Sequence, residues 1–487
     1  MSALARADLD VRKGGEMNTQ VKRQKNRKEV NMTEGPLFGK IVMFALPLLL
    51  SGILQLLYNA ADIVVVGRFA ENGQTALAAV GSTGALTNLI VNLFIGLSVG
   101  SSVSVSHALG AKNDDDVHKL VHTSILTSLI GGVIVLLIGV TLARPLLLLM
   151  DTPDTVIDHS ALYMRIIFLG MPAQMLYNYG AAILRAKGDT KRPLFILALT
   201  GLVNVALNLI LVIGCHLDVA GVAIATIVAQ YLSALLSTYF LIRDPGACHL
   251  DLRQLRIDRR SFLRLLRIGI PAGIQGMAFS ISNVLIQSSV NSFGETAMAG
   301  NTAGGNLDGF IYIALNSLYH AALTFTGQNV GAKKWSRLNR VLLNCSAIVL
   351  SLGLVMGFGI YLFGEQLLAI YAPGEPDVIA WGMIRLKYLA TTYFLCGLME
   401  VGCGMLRGIG QSFTSMIISL TGTCAMRIIW IYTIFALNPT METLYLSYPV
   451  TWLITLVVDI ICYVIFKNRL IRHVNALENA STVASVS

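Results

Sequence analysis

Apolar runs of about twenty residues or more recur twelve times along this chain, and a run of that length spans a bilayer as a helix. Their approximate limits are 39–68, 75–108, 119–149, 157–184, 192–214, 219–242, 261–293, 296–329, 340–363, 378–406, 413–436 and 443–466. Inside lipid, backbone N–H and C=O groups are satisfied only within helices or closed barrels. The expected fold is therefore an all-α polytopic membrane protein with twelve transmembrane helices. Composition agrees: 13% of the 487 residues are charged, where a soluble chain carries about 25%.

The formal charge of +9 is not a nucleic-acid footprint, because the basic residues alternate with apolar runs and form no single patch. They sort by side instead. Thirty of the 36 Lys and Arg fall on the side of the N-terminus, five on the other (Arg68, Arg144, Arg165, Arg385 and Lys387), and Arg427 lies inside a run. Such a bias expects both termini in the cytoplasm of a multi-pass protein of the inner (plasma) membrane. The basic segment 1–34 lacks the apolar core of a signal peptide and reads as a disordered cytosolic tail. The seven cysteines show no CxxC pair, so neither a disulfide framework nor a metal site is expected.

The chain also repeats itself. PLLLSGILQ at Pro47 faces PAGIQGMAF at Pro271, 224 residues on; TALAA at Thr75 faces TAMAG at Thr296, 221 on. LGAK at Leu109 faces VGAK at Val330, again 221, and ILRAKGD with Arg185 faces MLRGIGQ with Arg407 at 222. Each repeat holds six runs, so the halves point the same way across the membrane, related by an axis along its normal. The expected domains are a six-helix bundle over 35–242, a cytosolic linker over 243–260, a second bundle over 261–468 and a tail over 469–487. Two such bundles with a central cavity between them suit alternating access.

Three features together resemble a known family. They are the two six-span halves, a first-span Pro47 followed fifteen residues later by Asp62, and LRAKGD and LRGIGQ closing the fourth and tenth spans. This ordered set, covering about residues 35–468, looks like the multidrug and toxic compound extrusion (MATE) transporters. The resemblance implies an antiporter coupled to Na⁺ or H⁺ that exports bulky, often cationic, organic compounds. It implies no other cofactor and no obligate protein partner.

The residues carry their own chemistry. A lone carboxylate such as Asp62 in a span costs about 2.5–3.5 kcal/mol on insertion scales. Ser51, Gln55, Tyr58, Asn59 and Asp62 fall on one helical stripe, which turns Asp62 toward protein or water. Pro47, and its mate Pro271, each remove a backbone hydrogen bond, so a bend is expected at both. The resemblance implies a coupling-cation site of Asp62, Asn204, Asn208 and Thr226. One carboxylate, two amide oxygens and a hydroxyl are hard ligands suited to Na⁺. Asn208 stands where many members have Asp, which argues against coupling through an Asp pair.

The second half is different. Its seventh span holds Gln275, Asn283 and Gln287 but no acid, and the counterpart of Asp62 is near Ile286. Asp308, Glu400, Arg427 and Asp459 lie inside spans. An Arg at such depth needs a partner, and Glu400 in the adjacent span is the expected one. Glu400 or Asp308 is a candidate for holding a cationic drug or a proton. His107 and His320 read as helix-packing residues.

Two rival readings remain. A lipid or lipid-linked saccharide flippase shares this general architecture. A membrane-embedded enzyme needs a paired His/Asp or Ser/His constellation at a span end, and none is present. GxxxxGK[ST] is also absent, so no nucleotide-hydrolysing module is expected.

Overall fold

The computed structural model describes residues 29–69, 73–149 and 154–486. Residues 1–28 of the segment read as a tail, and the Arg68 side chain, lie outside what it describes. No strand occurs among the described residues.

Among the described residues twelve long helical units follow one another, with one short helix, Gly364–Tyr371, between the ninth and the tenth. The first half has α1 (Leu37–Phe69), α2 (Gly73–Gly110), α3 (Asp114–Leu149), a broken α4 (Asp154–Leu169 and Met171–Lys187), α5 (Lys191–Gly214) and α6 (Asp218–Ile242). The second has α7 (Arg259–Asn291), α8 (Glu295–Gly331), α9 (Trp335–Leu362), a broken α10 (Pro376–Gly408), α11 (Ser412–Phe435) and α12 (Met441–Val486). Among the described residues, ten of these are long and apolar enough to cross a membrane. The other two are α4, whose longer piece has 17 residues, and α8, which has 37. Both are internal: α8 buries Asn301, Asp308, Ser317, Thr324, Thr326, Gln328 and Asn329, so neighbouring helices rather than lipid receive its polar face.

The sequence repeat is a repeat of helix anatomy. α1 and α7 have 33 residues each. α4 and α10 are both interrupted midway, at Gly170 and over Ala390–Thr392. α5 widens to a π-helix at Leu209–Gly214 and α11 at Ile431–Phe435, 222 residues on. Pro47 and Pro271 each sit inside an uninterrupted helix.

The repeated motifs turn out to be helix stops. Lys112 and Lys333, from the two GAK motifs, both have φ 55, and Gly188 and Gly410, from the LRAKGD and LRGIGQ motifs, have φ 98 and φ 89. A left-handed residue just past a helix lets the next N–H reach back to an orphan carbonyl. The same bond recurs at all four ends: Asn113 to Ala108, Lys334 to Asn329, Asp189 to Leu184 and Gln411 to Leu406, at 2.9–3.0 Å.

These four stops gather at the end that carries the linker and residues 29–35, and there the halves lock together. His107 Nε2 lies 2.7 Å from the Gly408 carbonyl, and Gln328 Nε2 donates to the Ala186 carbonyl at 2.7 Å. His107 and Gln328 are repeat mates, as are Ala186 and Gly408, so one contact is made twice about the pseudo-axis. A Cβ on Gly110 would strike the Gln328 carbonyl, and one on Gly331 the His107 carbonyl. Only glycine allows α2 and α8 to cross so closely. Residues 29–35, the end of the segment expected to be disordered, are seated across this crossing. Val30 N–H donates to Gly188 O at 3.1 Å, Asn329 Nδ2 to Met32 O at 3.2 Å and Lys334 Nζ to Thr33 O at 2.9 Å, and Met32 is fully buried. At the other end of the chain, α12 runs on through the segment read as a tail from 469.

Candidate cation and substrate sites

The four residues carried over for the cation site lie together, at the seam of α1, α5 and α6. Asn208 Nδ2 donates to Asp62 Oδ1 at 2.5 Å and lies 3.3 Å from Asn204 Oδ1; Asn204 Nδ2 approaches Thr226 Oγ1 at 3.5 Å. Helical spacing explains the arrangement. Asn204 and Asn208 are one turn apart on α5, both are buried, and the π-helix begins at the next residue, Leu209. π-turns widen a helix locally and recur at functional sites.

The donors and acceptors do not balance. Asn208 spends its N–H group on Asp62 and Asn204, and its Oδ1 is buried without a hydrogen-bond partner among the described residues. A buried amide oxygen beside a carboxylate, an amide oxygen and a hydroxyl is an unfilled acceptor cluster. Its hard oxygens fit a small cation. Tyr163 of α4 lies within electrostatic reach of Asp62. Sequence reasoning missed it, because no motif ties that tyrosine to the first span.

The rest of the first-span stripe serves packing. Tyr58 OH donates to the Ala198 carbonyl at 3.1 Å and its ring lies against Gly201; Ser51 donates to Pro47 O at 2.8 Å. Gln55 is exposed.

The second half departs from expectation. Glu400 and Arg427 make no ion pair. Arg427 is stacked 4.1 Å from the centroid of the Tyr448 ring, with Thr451 Oγ1 at 3.4 Å. An aromatic face takes up a guanidinium charge without a carboxylate. The cation acting on Glu400 is Arg407, two turns along the same face of its own helix. Asp308 is likewise engaged: Arg385 Nε donates to its Oδ2 at 2.9 Å. Arg385 also donates to Asn301 at 2.6 Å, Tyr445 OH donates to the same Asn301 oxygen at 2.8 Å, and Asn301 donates to Gln287 at 2.9 Å. This network ties α7, α8, α10 and α12. Arg385 is therefore an intramembrane partner and not an outer topology charge, and the sequence bias concealed that.

Gln275 lies deeper. It accepts from Arg407 Nη2 at 2.6 Å and donates to Ser419 at 2.9 Å. Asn283 is exposed. Asp459 on α12 is fully buried, and both of its carboxylate oxygens lack partners among the described residues.

Two parallel six-helix repeats, locked at one end and carrying buried carboxylates in apolar spans, define a polytopic membrane transporter, not an enzyme. The MatE family model matches residues 47–210 and 271–433, once in each half. The chain belongs to that family of multidrug efflux transporters. It is 29% identical over 385 residues to "Probable multidrug resistance protein YoeA" of Bacillus subtilis, covering 78% of this chain and 82% of that one. It is 24% identical over 398 residues to the "FAD transporter" of Shewanella oneidensis, covering 80% and 86%. Among solved structures it is similar to a MOP superfamily transporter from Pyrococcus furiosus, with TM-score 0.85, 22% identity and coverage of 92% and 99%. A second, with TM-score 0.84 and 22% identity, is an outward-facing multidrug resistance MATE transporter, with the same coverage.

Proposed function

We propose that this protein is a cation-coupled antiporter that exports bulky, often cationic, organic compounds across the inner membrane by alternating access. Its linker end, with both termini, faces the cytoplasm. The observation that carries the reading is the Asp62–Asn208–Asn204–Thr226 chain with its unpartnered Asn208 oxygen.

In this reading Asp62 is neutralised by the coupling cation, and its Asn208 hydrogen bond holds the carboxylate in place when the cation has left. A bound Na⁺ would draw the Asp62 carboxylate, the Asn208 and Asn204 amide oxygens and the Thr226 hydroxyl toward one point. That motion would pull α5 and α6 against α1, and the first half could pass the change to the cleft. Inward movement of one charge supplies about 2.3 kcal/mol per 100 mV of membrane potential. The latch of His107 and Gln328 at the linker end fits a carrier closed toward the cytoplasm. Asn208, an amide and not a second acid, favours Na⁺ over a proton shared between carboxylates.

The test is ethidium efflux from proteoliposomes under Na⁺ and pH gradients imposed separately. Efflux driven by the Na⁺ gradient is expected. Equal, gradient-independent equilibration of the dye would replace the carrier by a channel and remove the reading.

A further inference from the structure

The two halves treat one repeated arginine in opposite ways. In the second half, both terminal nitrogens of Arg407 are engaged, Nη1 donating to Tyr319 OH at 2.5 Å and Nη2 to Gln275 Oε1 at 2.6 Å, while its Nε, like that of Arg185, is buried without a hydrogen-bond partner among the described residues. Two carboxylates, Glu400 and Asp459, act on it electrostatically. Its mate in the first half is Arg185. The register between them is fixed in space as well as in sequence. A Cβ on Gly402 would lie 3.1 Å from the Asp459 Cβ, and a Cβ on Gly180 would lie 3.2 Å from the Ser237 Cβ. Asp459 and Ser237 are thus equivalent, 222 residues apart, like Gly402 and Gly180.

Transferring each partner of Arg407 across the repeat empties the list. Glu400 becomes Asn178 and Asp459 becomes Ser237. Tyr319 becomes Ser98, and Gln275 becomes Ser51. Both carboxylates are lost and both long hydrogen-bond acceptors are cut to a hydroxymethyl. Those serines are spent on their own helices, Ser98 on Ile95 O at 2.7 Å and Ser51 on Pro47 O at 2.8 Å. Arg185 makes no ion pair among the described residues. Arg185 Nε and Asn178 Nδ2 are each buried without a hydrogen-bond partner among those residues. They stand seven residues apart on α4, two turns along one face.

That face meets the other half. Arg185 lies within electrostatic reach of Tyr319 and His320 on α8, and His320 is also within reach of Arg407. A guanidinium packed against the other half without a paired carboxylate is costly, and a ligand can supply the acceptor that an orphan donor lacks. A planar guanidinium with a neighbouring amide N–H matches the paired oxygens of a carboxylate or phosphate.

We propose that Arg185, backed by Asn178, is the recognition point for an oxyanion, a carboxylate or a phosphate, borne by an amphiphilic organic molecule in the cleft between the halves. The proposal rests on the exporter reading for its physiological sense and adds molecules that carry an anionic group, zwitterions included, to the cationic compounds of that reading. The anion could belong to a soluble solute or to a lipid headgroup, and the two are separable.

The experiment measures binding to the purified full-length protein in a neutral detergent, with three probes: carboxyfluorescein as a soluble organic anion, a fluorescent phosphatidylglycerol as an anionic lipid, and ethidium as an organic cation. Arg185→Gln is expected to lower the affinity for an anionic probe, relative to ethidium, by about tenfold or more, the effect of losing a charge-assisted hydrogen-bond pair. Arg185→Lys should recover part of it and Asn178→Ala should lose about threefold, as one neutral hydrogen bond does. An effect on carboxyfluorescein assigns the soluble solute. An effect on the lipid alone assigns the headgroup. Equal losses for anions and ethidium would make Arg185 structural and overturn the proposal, as would wild-type protein that binds neither anionic probe. Ethidium efflux under an imposed gradient reports on the exporter reading separately, since it can fail while anion binding persists.

Discussion

Asn208 Nδ2 donates to Asp62 Oδ1 at 2.5 Å across 146 residues of sequence, so the acid of the first span is held by an amide of the fifth. The amide oxygen left over is the free acceptor of the site. Asp62→Asn should lower gradient-driven ethidium efflux by about tenfold or more, because the neutral amide removes the charge that a cation compensates. Asn208→Asp should move coupling from Na⁺ toward protons, since it restores a carboxylate pair that can share one. The ratio of pH-driven to Na⁺-driven efflux in proteoliposomes reads this; an unchanged ratio would separate Asn208 from ion choice.

Arg385 and Asp308 form the buried ion pair of the second half, their side chains 14% and 4% exposed. Arg385→Met strands a carboxylate among apolar helices and should cost about 3–5 kcal/mol. Arg385→Met with Asp308→Leu should cost less than the single change, because no unpaired charge remains. Thermal melts in mild detergent compare the two. A double variant less stable than the single would contradict this account.

The latch at the linker end rests on two symmetry-related hydrogen bonds, His107 to Gly408 O and Gln328 to Ala186 O. Each is worth about 1 kcal/mol, so removing both with His107→Ala and Gln328→Ala should shift the halves about thirtyfold toward separation at that end. Spin labels at the exposed positions Asn113 and Ser336, one in each half, should then show a second, longer distance population. A distribution identical to that of the unsubstituted labelled protein would mean the glycine crossing alone holds the end closed.

Gly188 and Gly410 are matched helix stops with unequal surroundings. Alanine at either position meets the left-handed penalty, roughly 1 kcal/mol. At Gly188 the new Cβ would also lie 2.6 Å from Val30 O, whereas the nearest atom at Gly410 is 3.9 Å away. Gly188→Ala should therefore lower the melting temperature more than Gly410→Ala. Equal shifts would mean that the segment around Val30 does not hold its seat on α4.

The sequence by itself determined the membrane class, the count of spans and the parallel repeat. Each of these follows from one-dimensional patterns: run length set by bilayer thickness, and motif spacing set by duplicated helix lengths. Residue spacing turned Asp62 inward on its helical stripe, while its grouping with Asn204, Asn208 and Thr226 came from the family resemblance. Pairings between helices were another matter. Arg427 was expected against Glu400 and is found on Tyr448; Asp308, a candidate for holding a cationic drug or a proton, is held by Arg385. Adjacent spans in the sequence say nothing about the rotation of each helix or its depth, and a guanidinium can be received by an aromatic face where no carboxylate is paired with it. The role of the GAK and LRAKGD motifs was hidden for a similar reason, since a left-handed backbone leaves only a glycine or lysine in the text. The tertiary structure alone decided that these stops meet at one end, that His107 and Gln328 close it twice over, and that Arg185 faces the other half without the partners its mate enjoys. Those are consequences of packing two unequal copies of one bundle about a common axis, where a repeated residue acquires a different neighbourhood on each side.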